Sequence, residues 1–98
     1  MSEQVNHPSH YMKNGKECID CMVELFGLKA TCIFCLTNAY KYMYRAGNKD
    51  GNSFEQDMKK CKWYIEWASK HIESKNYGLI CMLEKVSGMY EEIANETI

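Results

Sequence analysis

Apolar residues recur along most of this chain at the three- and four-residue intervals of an amphipathic helix. Over residues 16–26 they are Ile19, Met22, Val23 and Phe26, and Gly27 follows as a helix stop. Over residues 29–46 the stripe is Cys32, Cys35, Leu36, Ala39, Met43 and Ala46, closed by Gly47. The segment Gly47-Asn48-Lys49-Asp50-Gly51-Asn52 is a turn cluster. Ser53 reads as the N-cap of a third helix, with Gln56 as its capping-box partner. That helix runs to Glu73 on the stripe Phe54, Met58, Cys61, Ile65, Ala68 and Ile72. A fourth helix, over residues 77–95, carries Ile80, Leu83, Val86, Met89, Tyr90 and Ile93. Gly78 and Gly88 weaken it by about 1 kcal/mol each relative to alanine. No strand-like alternation of useful length occurs.

Pro8 is the sole proline and disfavours helix at His7, so residues 1–15 read as an extended arm. The pattern therefore predicts an all-α fold: one helical domain over residues 1–98, with an arm at 1–15, core helices within 16–73 and a C-terminal helix within 76–95.

Ninety-eight residues allow one domain with a modest core, and oligomerisation would add buried area. A homo-oligomer, dimer or tetramer, is therefore expected. No apolar run reaches transmembrane length, and no apolar N-terminal stretch follows a basic one, so neither a membrane span nor a signal peptide is expected. A net charge of −1 argues against long nucleic acid as partner, because such binding leaves a strongly basic footprint. It leaves room for a small anionic ligand, which needs only a few local cations.

Six cysteines without a secretory signal point to reduced thiols in a cytosol. Cys18-x-x-Cys21 and Cys32-x-x-Cys35 match the spacing of a four-thiolate zinc site. Both pairs fall inside amphipathic helices, however, beside Ile19, Met22, Ile33 and Leu36. Core packing is the expected role, and no resident metal or cofactor is expected.

The polar faces carry the candidate chemistry. Asn38, Lys41 and Arg45 share one stripe of the second helix, flanked by Tyr40, Tyr42 and Tyr44. Asp57, Lys60 and Tyr64 have the same spacing on the third. Arg45 can fork onto a phosphate, Lys41 can supply a point charge, and Asn38 can read a base or ribose edge. Asp57 can orient Lys60 or Arg45, or accept from a sugar hydroxyl. Lys49 can close over a ligand beside the N-terminus of the third helix, itself an anion site. In the arm, His7, His10 and Tyr11 can sandwich a nucleobase or donate to a phosphate. A Gly-x-x-x-x-Gly-Lys-Ser/Thr phosphate loop is missing, and so is a carboxylate cluster of the kind that holds paired magnesium ions. Glu17, Asp20 and Glu24 share a face of the first helix and read as solubilising acids.

The pattern Val5-Asn6-His7-Pro8-x-His10-Tyr11, Glu17-Cys18-Ile19-Asp20, Asn38-Ala39-x-Lys41-Tyr42-x-x-Arg45 and Asp57-x-x-Lys60-x-x-x-Tyr64 resembles a small phage-encoded domain family of unknown function. The resemblance covers roughly residues 5–66. Some members of that family are described as nucleotide kinases lacking a standard phosphate-binding loop. The resemblance implies a phage protein that handles nucleotides in the cytoplasm of the infected host. It points to His7, His10, Tyr11, Asn38, Lys41, Tyr42, Arg45, Lys49, Asp57, Lys60 and Tyr64 as ligand-binding residues.

Three readings follow. The favoured one is a binding protein that sequesters a phosphorylated small molecule, such as a cyclic dinucleotide signal of host immunity. The second is a deoxynucleoside monophosphate kinase without a phosphate loop, using Mg2+. The third is an inhibitor that binds a host enzyme.

Overall fold

The computed structural model describes residues 12–13, 16–48 and 53–96. Within them lie four helices: α1 (Cys18–Phe26), α2 (Leu28–Arg45), α3 (Phe54–His71) and α4 (Tyr77–Glu96). A short antiparallel pair, β1 (Met12–Lys13) and β2 (Lys16–Glu17), sets Met12 opposite Glu17 and Lys13 opposite Lys16. The all-α expectation holds. Boundaries move: part of the predicted arm is strand, the first helix begins at Cys18 rather than Lys16, because Lys16 and Glu17 pair with β1, and the third ends at His71 rather than Glu73, because Ile72 turns extended.

Glycine separates α1 from α2. Gly27 sits at φ 93°, a region where an L side chain is strained. Its amide donates to the Val23 carbonyl at 2.9 Å, and its own carbonyl accepts the Thr31 hydroxyl at 2.9 Å. One residue therefore closes one helix and opens the next. Gly47, at φ 75°, ends α2, and a Cβ there would stand 3.3 Å from the Cβ of Phe54. The predicted N-cap of α3 is present: the Gln56 amide donates to the Ser53 hydroxyl at 3.0 Å. The Leu79 amide donates to the Asn76 side chain at 3.1 Å and so caps α4.

The core follows from the apolar stripes. Early α2 meets late α3 in one cluster, where Ile19, Cys35, Leu36 and Ala68 are buried. Late α2 meets early α3 in a second, built on Ala39, Met43, Met58 and Cys61. The pair is thus an antiparallel hairpin. Helix α4 lies across it, packing Leu83 and Val86 on the first cluster and Val86, Tyr90 and Ile93 on the second.

The outer helices are less covered than their stripes suggest. In α1 only Ile19 is buried; Met22 and Val23 are half-buried and Phe26 is 64% exposed. In α4 the fully buried residue is Leu79, which the predicted stripe omits, and Met89 is exposed. A helix at the edge of a small layer has neighbours on one side only, so a stripe of full width is covered in part.

The cysteines divide the same way. Cys32, Cys35 and Cys61 have no exposed surface and act as core residues, as expected. Cys18 and Cys21 are exposed, against the expectation of core packing, because α1 turns that flank outward. Burial pushes the Cys35 thiol up to about 12, with a further contribution from Cys32. Burial alone takes Cys61 to about 12. Cys32 is raised by burial and then by the Glu73 carboxylate.

Candidate functional site

Helix α2 carries Lys29, Lys41 and Arg45 and no acidic residue, although the whole chain has a net charge of −1. The basic side chains of this element are therefore not offset by acids on the same helix. Lys41 and Arg45 stand on the flank of α2 next to α3, and Tyr42 lies between them in sequence.

The two polar stripes meet at Tyr42. Its ring stacks on Tyr64 of α3, with centroids 5.9 Å apart and planes 11° apart. Arg45 places its guanidinium carbon 4.8 Å from the Tyr42 centroid, and Lys41 its Nζ at 5.0 Å. Lys60, from α3, brings its Nζ to 5.6 Å of the same ring. All three distances fall within cation–π range, where each contact is worth about 0.5–1 kcal/mol at an exposed site. The three cations repel one another, so the arrangement favours an anion beside them.

The same pair of helices holds a buried acid. Asp57 is in the first turn of α3 and is 0% exposed. Neither of its carboxylate oxygens has a hydrogen-bond partner among the described residues, and the buried Nε of Arg45 has none either. Late α2 packs against early α3, so Asp57 lies level with the last turns of α2, where Arg45 stands. Buried polar groups are nearly always hydrogen-bonded, and an exception calls for a reason. Here one donor and two acceptors are idle on facing helices.

Of the predicted site residues, Lys41, Tyr42, Arg45, Lys60 and Tyr64 come together at this face, and Asp57 is buried in the first turn of α3. Asn38 is half-buried one turn before Lys41. His7, His10, Tyr11 and Lys49 lie outside the described residues. Two aromatic residues of the site are not on the predicted stripes. Phe34 meets Tyr64 edge-on at 5.9 Å, and Trp63 meets it edge-on at 5.1 Å. Phe34 precedes Tyr42 by two helical turns on the same flank, a periodicity that the sequence contains. Trp63 had no such signal, since it falls between the apolar and polar stripes.

Among the described residues no three His, Cys, Asp or Glu side chains gather to hold a metal ion. No helix there is long and apolar enough to cross a membrane.

Fold and face together define a small all-α domain that presents a cluster of cations around stacked tyrosines. The chain belongs to the phage-encoded DUF3310 family, described as a protein of unknown function, which matches residues 5–66. A similar protein is the "Gene 1.7 protein" of Enterobacteria phage T3, 34% identical over 73 residues. That similarity takes in 72% of this chain and 45% of the relative, so the chain spans less than half of the relative's length. No solved structure matches the chain.

Proposed function

We propose that this protein binds a nucleotide at the α2–α3 face and transfers a phosphoryl group to it. Arg45, Lys41 and Lys60 would neutralise phosphate oxygens, with Arg45 able to use two donors at once. Asn38 supplies an amide for a base or ribose edge. The observation that carries the reading is the pair of idle buried groups, Asp57 and the Arg45 Nε, on the two helices whose cations gather around Tyr42. Phosphoryl transfer is almost wholly positioning and charge stabilisation, which such a set can supply without a glycine-rich loop. Asp57 would accept a hydrogen bond from the nucleotide. The Mg2+ that this chemistry requires would arrive coordinated by the triphosphate donor.

Sequestration of a cyclic dinucleotide in the host cytoplasm, the reading the sequence favoured, uses the same cations and the same tyrosines. It ranks second because it gives the buried, unpartnered Asp57 carboxylate no task, whereas a transfer site has work for it. An oligomer would build either site between subunits or within one.

The test combines calorimetry and product analysis on the full chain. It is titrated with mono-, di- and cyclic nucleotides, then incubated with ATP, Mg2+ and each deoxynucleoside monophosphate. Phosphoryl transfer predicts a diphosphate product that Asp57→Asn abolishes and Arg45→Ala weakens at the binding step. Tight binding of a cyclic nucleotide with no product from any monophosphate selects sequestration. No heat with any nucleotide sinks both.

A further inference from the structure

This chain contains the Cys-x-x-Cys spacing twice, and the fold treats the two copies oppositely. Cys32 and Cys35 lie inside α2, fully buried, with the Cys35 thiol pushed up to about 12. Cys18 and Cys21 lie in the first turn of α1, and both are exposed. Thiols react through the thiolate and only where a partner can reach them, so the buried pair is inert and the exposed pair is available.

Helix position adds a second difference. Residues three apart in a regular helix have Cα atoms about 5 Å apart, inside the roughly 4.4–6.8 Å that a disulfide spans. Their Cβ atoms, at about 5–6 Å, must still approach to about 4 Å. In mid-helix that approach would break backbone hydrogen bonds on both sides. At Cys18 no intrahelical bond is at stake on the N-terminal side, because the first amides of a helix have no intrahelical acceptor. Cys18 can therefore swing toward Cys21 while Ile19, buried in the core, holds the helix in place.

The geometry points to Cys18 and Cys21 as a reversible dithiol that closes to an intrahelical disulfide by exchange with a low-molecular-weight disulfide such as oxidised glutathione. The Cys18 thiolate attacks one sulfur of that disulfide and releases one small thiolate. The Cys21 thiolate then attacks the Cys18 sulfur and expels the second. The protein dithiol is oxidised to a disulfide, and the small disulfide is reduced to two thiols. Closure tightens the first turn of α1 where β2 enters it at Glu17, so the redox state alters the junction between the hairpin and the helices.

The test exposes the native full chain to increasing ratios of oxidised to reduced glutathione, followed by intact mass and peptide mapping. The expected product has lost two hydrogens within the peptide holding Cys18 and Cys21. Cys32, Cys35 and Cys61 should be labelled only after denaturation. Cys21→Ser should stop at a single glutathione adduct on Cys18, which shows that Cys21 resolves the exchange. Overturning results are persistent glutathione on both cysteines of the wild-type chain, a disulfide that involves Cys81, or no change at any ratio.

Discussion

Replacing Asp57 by leucine should make the ligand-free protein more stable. The side chain has no exposed surface, and its two oxygens have no partner among the described residues. Leaving a buried polar group unsatisfied costs about 1–3 kcal/mol, and leucine removes that cost at similar length. Against the gain stands the loss of an acid from the first turn of α3, where the helix dipole favours negative charge by about 0.3–1 kcal/mol. The balance is a gain of about 1–2 kcal/mol. In a domain of this size Tm then rises by about 4–8 °C for each kcal/mol. Urea unfolding followed by circular dichroism measures it, with an unchanged m-value confirming that the native state is being compared. Asp57→Asn keeps the shape and separates overpacking from the electrostatic effect; it should not fall below the wild type. If both variants lose about 3–5 kcal/mol, the cost of breaking a buried ion pair, then Asp57 holds the fold together and the functional argument built on it fails. A gain in stability together with a loss of nucleotide binding would mark a residue kept for its site at the expense of the fold.

Two further outcomes test the scaffold. Ser53→Ala removes the hydroxyl that caps α3 and should cost about 1 kcal/mol in the same urea assay, with nucleotide binding weakened little. Stability should also fall as pH rises from about 9 toward about 12, because unfolded thiols ionise near 9.0 while Cys35 and Cys61 keep their protons until about 12. In that window the unfolded chain binds fewer protons than the folded one, so alkali favours unfolding, and below it the contribution is fully present. Cys61→Ala should flatten the decline, and an unchanged slope would place the alkaline sensitivity elsewhere.

Much of this arrangement was legible from periodicity. The stripes of α2 and α3 gave the helical hairpin, Gly27 and Gly47 the breaks, and Ser53 with Gln56 the start of α3, because those signals act within a few residues. The outer helices were harder. A stripe reports which face would bury, and not whether a neighbour arrives to cover it, so Phe26 and Met89 looked like core and are exposed. The helical placement of the cysteines misled for the same reason: Cys18 and Cys32 open motifs of the same spacing, both expected in the core, and only packing separates them. At the site, matching intervals on two helices announced that Lys41, Arg45, Lys60 and Tyr64 belonged together. They could not announce that all would gather around Tyr42, nor that Asp57 would be buried without a partner. Those depend on how the two helices lie against each other.

The family match stops at residue 66, partway through α3. Beyond that point lies Ala68, fully enclosed against Cys35 and Leu36, and beyond that the whole of α4, whose Val86, Tyr90 and Ile93 cover the second cluster. The segment matched by the family and the folding unit thus have different ends. A transplant of this domain into another polypeptide must carry the chain through Glu96, or supply a substitute helix with an apolar stripe of its own.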